Sequence, residues 1–430
     1  PNNGSDEIYI IGNPPFGGKS KRSASQLNDM EIVFKGLKKI KTLDYVACWF
    51  YKGALYIKDT NASLALVATN SINQGEQVAL LWPLIFKLGL NINFAYQTFQ
   101  WKNSAKNNAG VHVVVVGLSN KNTTKNKIYK LVDDTWHKEI VGNISPYLVS
   151  GSNTVIEGRR SSISGNSPIL FGNMPYDYGN LLLNTEEKNE LVLNEPSSEQ
   201  WLKRIIGSDE FLNSKERWCL WLVGISNEEL DEMPLVKSRV DNVRYARLES
   251  TDKAAHKLAE RPHEFRDLNN PDSYIIIPSV SSERRKYVPI GTFDGHTISS
   301  NLNHIIPNGT LFEFGILTSL AHNDWMRLVA GRLKSDYRYS GTIVYNTFPF
   351  PNATDEQKKN IENLAEEILL ARASNAGMTL AELYDPDKMP EDLKQAHSTL
   401  DDAVDKLYRP QGFANTEERL AHLLARYEQL

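Results

Sequence analysis

Four short runs near the start of the chain leave little freedom in how it folds. Residues 7–11 (EIYII), 63–69 (SLALVAT), 92–98 (INFAYQT) and 111–118 (VHVVVVGL) are rich in β-branched and aromatic side chains. The first, second and fourth are nearly all apolar, which is the pattern of central strands buried on both faces. Between them, residues 44–58 and 74–88 carry apolar side chains at three- and four-residue intervals, the period of helices that cover a sheet. Residues 6–119 are therefore expected to form an α/β sheet with helices on its faces.

The pattern changes after residue 119. Residues 120–351 show short strand-like pieces separated by Gly, Asn, Pro and Ser clusters, with helical patches at 186–193, 198–206, 251–261 and 311–333. This reads as a loop-rich, mostly β second domain. Residues 352–430 have helical periodicity over 355–373, 391–407 and 416–428, punctuated by Pro351, Asp385-Pro386 and Arg409-Pro410-Gln411-Gly412. A small helical hairpin or bundle is expected there. The division is thus 1–119, 120–351 and 352–430.

Composition sets the class. With 41% hydrophobic and 23% charged residues, the chain is neither disordered nor fibrous, and no apolar run approaches the ~20 residues a membrane span needs. The two cysteines, Cys48 and Cys219, are far apart, which argues against a disulfide framework and a cysteine-rich zinc site. A reducing cytoplasm is expected. Residues 1–7 are polar and acidic, so the chain is expected to be cut from a longer polypeptide. Residues 352–430 hold 9 Lys+Arg and 16 Asp+Glu, a charge of −7, so the other 351 residues carry +3 of the total −4. A polyanionic partner is compatible with that balance.

The chemically informative segment is Ile10-Ile11-Gly12-Asn13-Pro14-Pro15-Phe16-Gly17-Gly18-Lys19-Ser20, a strand that runs directly into a rigid turn. Gly18-Lys19-Ser20 after a strand suggests a phosphate-binding loop. That loop needs glycine where Asn13 stands, however, and Pro14 and Pro15 lack the N–H groups that cradle phosphate. A plain strand-ending turn is the bland alternative, since Asn and Pro are ordinary turn formers. The third reading is the Asn-Pro-Pro-aromatic loop of amino-methyltransferases, in which each residue type has a task. An exocyclic amine conjugated with its ring is a poor nucleophile, and accepting hydrogen bonds from both its protons returns lone-pair density to nitrogen. The Asn13 side-chain carbonyl and the Pro14 main-chain carbonyl are suitable acceptors, and the prolines hold them convergent. Phe16 can stack on a base rotated out of the duplex.

On this loop the chain resembles the γ-type class I DNA methyltransferases. It is more closely similar to the MmeI-like restriction-modification enzymes, which join nuclease, methyltransferase and recognition domain in one polypeptide. Further segments carry the likeness: Asp44-Tyr45-Val46-Ala47-Cys48-Trp49-Phe50, Ala68-Thr69-Asn70-Ser71-Ile72-Asn73-Gln74-Gly75, Gly110-Val111-His112-Val113-Val114-Val115-Val116-Gly117, Arg217-Trp218-Cys219-Leu220-Trp221, Ser281-Ser282-Glu283-Arg284-Arg285-Lys286-Tyr287-Val288-Pro289 and Tyr345-Asn346-Thr347-Phe348-Pro349-Phe350-Pro351. The resemblance implies an α/β fold, the C-terminal half of a Rossmann-like class I methyltransferase sheet, over 1–119. A mixed, mainly β target-recognition domain over 120–351 and a small α-helical C-terminal domain over 352–430 would follow. It implies S-adenosylmethionine as methyl donor, double-stranded DNA as partner and adenine N6 as acceptor, with Asn13, Pro14, Pro15 and Phe16 as the catalytic loop. The Gly-rich cofactor motif of the family and any nuclease centre would lie upstream in the same polypeptide, so this piece is expected to be inactive alone.

The family also often places an aromatic residue against the flipped base where Phe99 and Trp101 stand; hairpin packing is the alternative. Lys102 and Lys106, with Asn103, Asn107 and Asn108, make a basic loop suited to DNA phosphates or to solvent. Arg284, Arg285 and Lys286, and Asn301 and Asn303, are candidates for DNA contact, because Arg pairs with guanine and Asn with adenine in the major groove. The histidines lack metal-ligand spacing, and no metal site is expected. A non-catalytic, sequence-specific DNA-binding subunit is the rival reading, and a P-loop nucleotide hydrolase a weaker one.

Overall fold

The protein is described from a computed structural model, which covers residues 4–19, 21–101, 111–120, 124–333 and 335–430. It divides into two compact units that interleave in sequence. The first is Pro1–Ser164, Asp324–Phe350 and Phe413–Leu430; the second is Gly165–Asn323 and Pro351–Gly412.

The first unit is built on a six-stranded sheet of β1 (Tyr9–Gly12), β2 (Ser63–Thr69), β3 (Asn91–Trp101), β4 (Val111–Ser119), β5 (Asn126–Val132) and β6 (Thr135–Val141), in the order β1-β2-β4-β3-β5-β6. The four expected strands are all present. β1 and β2 are parallel, with Tyr9 opposite Ser63 and Gly12 opposite Leu66, and the return they require is made by α1 (Ala24–Val33) and α2 (Ala47–Ile57). α3 (Gly75–Phe86) follows β2. α2 and α3 correspond to the two expected helices, whereas α1 was not marked by the pattern. Its weakly apolar sequence starts instead from a capping box, in which the Ser23 side chain accepts from Gln26 N and Gln26 returns to Ser23 N.

The helices bury one face of the sheet. Leu64, Leu66 and Ala68 of β2, Val114, Val116 and Leu118 of β4, and Ile92 and Ala95 of β3 are buried with Phe50, Ala54 and Ile57 of α2 and Val78, Leu81, Trp82 and Ile85 of α3. The other face carries Tyr9, Ile11, Val67, Val115, Phe94, Tyr96, Tyr129 and Trp136. Within the described residues β1 lies at the edge of the sheet, with Ile11 82% and Tyr9 65% exposed. Its apolar composition suits burial on both sides, and within the described residues only one side is covered. The β5–β6 hairpin continues this sheet past residue 119, where composition alone put a boundary. Tyr129 stacks on Tyr96 at 4.4 Å between ring centroids, and Trp136 meets Tyr96 edge-on at 4.9 Å.

The second unit holds two four-stranded sheets, one from Leu182–Leu183, Leu202–Ile206, Trp218–Leu220 and Thr297–Ser299, the other from Leu170–Phe171, Ser273–Pro278, Gly291–Asp294 and Asn303–Pro307. Residues 198–206, read as helical, instead form a 3-10 turn (Pro196–Trp201) and a strand. Sheet pairing with Trp218–Leu220 overrides the local apolar spacing there. The 16-residue helix Pro234–Glu249 was not expected. It presents Val236, Val240, Val243 and Arg247 inward, against a core containing Leu181, Trp221, Phe265 and Ile298. Arg247 is fully buried and donates to the carbonyls of Tyr176, Pro175, Leu258, Arg261 and Glu264. The helices Asp355–Ser374 and Glu391–Tyr408 match the expected helical segments and belong to this unit.

Candidate functional site

β1 ends at Gly12, where a Cβ would lie 3.3 Å from Leu66 of the neighbouring strand, and the chain turns at once into Asn13-Pro14-Pro15-Phe16. The loop therefore emerges at the carboxyl end of a parallel strand pair, the place where open α/β sheets bind ligands. Pro14 is buried, Asn13 and Pro15 are exposed and Phe16 is partly exposed. The polar Asn13 side chain thus faces outward from a proline anchored in the protein.

The loop is held from behind. Val46 N donates to Phe16 O at 3.1 Å and Tyr45 N to Gly17 O at 2.9 Å. Gly17 has φ of +52°, and a Cβ there would sit 2.7 Å from Tyr45 Cβ, so only glycine fits. The Tyr45 hydroxyl donates to Asp29 at 2.6 Å, and that bond, with burial, pushes its pKa up to about 12, so the phenol stays protonated as a structural donor. Beyond the loop, Arg22 donates to the carbonyls of Leu43 (2.8 Å) and Lys41 (2.6 Å), closing residues 22–43 into a clamp. Burial raises Cys48, on α2, to about 11, so it is an inert thiol.

Asp44 lies beneath this arrangement and is 6% exposed. Its Oδ2 accepts from Thr69 Oγ1 at 2.9 Å and from Ser71 Oγ, and its N–H donates to Gln77 Oε1 at 2.8 Å. Sequence reasoning did not single out Asp44, Thr69 or Ser71, although all three lie within segments that carry the family resemblance. Charge and hydroxyl content alone do not reveal a contact across 25 residues.

The phosphate-loop reading meets a geometric objection as well as the missing donors. Lys21 N bonds Gly18 O in a turn and α1 begins only at Ala24, so no helix N-terminus stands at Lys19.

The remaining candidates fall in different surroundings. Phe99 and Trp101 lie on β3 with ring centroids 6.2 Å apart, and Phe99 also meets Trp136 edge-on at 5.3 Å, so hairpin packing occupies Phe99. Lys102 and Lys106 lie outside the described residues. In the second unit Arg284 is exposed and paired with Asp387 at 2.5 Å, Arg285 is partly exposed, and exposed Lys286 sits 5.2 Å from the Tyr287 ring centroid. Asn301 is partly exposed, its N–H bonded to Asn173 O. Asn303 requires correction. It is fully buried, donates to Ile206 O at 3.0 Å and accepts from Ser208 Oγ at 2.9 Å, so its amide is spent inside the fold and cannot read a base.

Comparison with known proteins places these features in one family. Residues 1–130 match the family model described as MmeI, DNA-methyltransferase domain; residues 150–352 match MmeI, target recognition domain; residues 353–430 match MmeI, C-terminal domain. A Bacillus subtilis (strain 168) protein, DNA methyltransferase A, is 45% identical over 431 residues, which is 100% of this chain and 49% of that protein. The chain therefore spans about half the length of this curated relative. The solved structure of the Type IIL restriction-modification enzyme MmeI in complex with DNA is 44% identical, with a TM-score of 0.90 over 98% of this chain and 57% of that one. Matching all three domain models in order along its length, the chain belongs to the MmeI family.

Proposed function

We propose that this chain forms the catalytic-loop half of a site-specific DNA methyltransferase, followed by its target-recognition domain (120–351) and a helical C-terminal domain (352–430). The acceptor is adenine N6 of a base rotated out of duplex DNA. One observation carries the reading: Asn13 projects outward from a buried Pro14 at the carboxyl end of parallel β1 and β2, in a chain of the MmeI family. Asn13 Oδ1 and Pro14 O accept the two amine hydrogens, which keeps the nitrogen lone pair free for attack and stabilises the positive charge that develops on it. Phe16 offers its partly exposed ring to the base, worth about 1–3 kcal/mol of stacking.

S-adenosylmethionine supplies the methyl group when bound. The residues present fit one side of such a site, the carboxyl end of β1 and its loop; they offer no Gly-rich strand-to-helix turn with an acidic ribose partner. The open edge of β1, with Ile11 and Tyr9 exposed, is where the other half of a doubly wound sheet would join. We assign that half to upstream residues of the same polypeptide, and on that assignment this chain alone is inactive. Arg284, Arg285, Lys286 and Asn301, with Lys102 and Lys106, are proposed DNA contacts.

The test is transfer of labelled methyl from S-adenosylmethionine to mixed-sequence duplex DNA by three proteins: this chain, the chain extended upstream, and the extended chain with Asn13→Ala. Label on adenine from the extended wild type alone supports the reading. No label from any of them overturns it in favour of a non-catalytic DNA-binding subunit.

A further inference from the structure

We infer that Asp44 is a positioning residue that sets the Asn13–Phe16 loop against the carboxyl end of β2, an inference that rests on the methyl-transfer reading of that loop. Asp44 is 6% exposed, yet among the described residues it has no ion-pair partner; its Oδ2 is met by two neutral hydroxyls, those of Thr69 and Ser71, which also bond each other at 3.0 Å. Burying a carboxyl group is costly unless it is hydrogen-bonded, and Thr69 and Ser71 supply those bonds. What the carboxylate provides is direction.

Every remaining connection of Asp44 fixes its place. Its N–H reaches Gln77 in the first turn of α3, and its carbonyl accepts from Ala47 N at 3.1 Å at the start of α2. Asp44 is thereby tied to β2, to α2 and to α3 at once. The next two residues, Tyr45 and Val46, carry the N–H groups that hold Gly17 O and Phe16 O. Among the described residues these are the hydrogen bonds that reach the loop from outside its own strand. The position of Asn13 Oδ1 and Pro14 O is therefore tied, through the two hydrogen bonds made by the residues that follow Asp44, to the carboxyl group beneath Thr69 and Ser71. Asp44 does not touch a base in this arrangement; it acts through the loop.

Acceptors that polarise an amine must be held within about 0.5 Å of the productive geometry, and a misplacement near 1 Å costs on the order of a hundredfold in rate. The experiment uses the upstream-extended protein, with labelled methyl transfer to duplex DNA read as kcat and KM beside the thermal midpoint. Asp44→Ala is expected to lower kcat about a hundredfold with KM for DNA changed less than about threefold. Asp44→Asn keeps an oxygen for the two hydroxyls and is expected to recover most of the loss. Thr69→Val with Ser71→Ala is expected to reproduce the Asp44→Ala defect and to add little to it, because both break the same tie. If Asp44→Ala does not fold, the Thr69/Ser71 double variant carries the test. Normal kcat in either, beside an inactive Asn13→Ala control, overturns the inference alone. A defect that lies wholly in the folded fraction, with normal kcat per folded molecule, also overturns it. Full transfer by Asn13→Ala removes the methyl-transfer reading itself, and this inference with it.

Discussion

Gly17→Ala is the sharpest single perturbation of the loop, because its effect can be worked from distances. The added Cβ would stand 2.7 Å from Tyr45 Cβ and 3.5 Å from Tyr45 Cγ. Carbon atoms pack at about 3.5–4.0 Å, so the shortfall is roughly 0.8–1.3 Å. Tyr45 cannot give way easily: its Cβ is bound to the backbone, its ring is buried and its hydroxyl is anchored on Asp29. The loop must move instead. The left-handed φ of +52° adds about 1–2 kcal/mol of strain for any L side chain. Both effects act within residues 13–18, where few core contacts are at stake. Gly17→Ala in the upstream-extended protein should therefore lower kcat on the order of a hundredfold and shift the unfolding free energy by no more than about 2 kcal/mol. The assay pairs labelled methyl transfer with a urea titration of the same preparation. A kcat within about threefold of wild type would show that a loop displaced by about 1 Å still presents its acceptors, against the tight positioning inferred for Asn13 and Pro14.

Arg247→Met should destabilise the second unit by roughly 3–5 kcal/mol, because five buried carbonyls lose their donor while the stem volume is kept; a denaturant midpoint close to wild type would argue against this. The same unit should lose stability in acid. Burial holds His322 down to about 4 and His397 well below its ordinary value, so between about pH 6.5 and 4 the unfolded chain binds protons that the native state does not. Stability then falls as pH drops, by up to about 1.4 kcal/mol per pH unit for each histidine, and urea midpoints at pH 7.5, 6 and 5 would show it. Asn301→Ala is expected to weaken or relax DNA recognition with little change in melting temperature. Asn303→Ala should instead cost about 1–3 kcal/mol of stability by removing a buried amide's hydrogen bonds to Ile206 O and from Ser208 Oγ; a salt-matched DNA titration beside thermal melts separates the two.

Features that depend on residues close together in the chain are legible without the fold. The β-branched runs mark β2 and β4 because a strand buried on a face needs those side chains wherever it lies. Asn13-Pro14-Pro15-Phe16 is legible as a rigid turn because two adjacent prolines restrict the backbone from local sequence alone. The terminal helices are legible for the same local reason, three- and four-residue spacing bounded by Pro351 and Arg409-Pro410. Features set by partners distant in sequence came only with the closed fold. It turned residues 202–206 from apparent helix to strand by pairing them with residues 218–220 and 297–299, and buried Asn303, whose composition suggested a base reader. It also brought Asp44 to Thr69 and Ser71, 25 and 27 residues away. A hydrogen bond or strand pairing across that separation leaves no periodicity in either segment, since its energy appears only when the fold closes the loop between them.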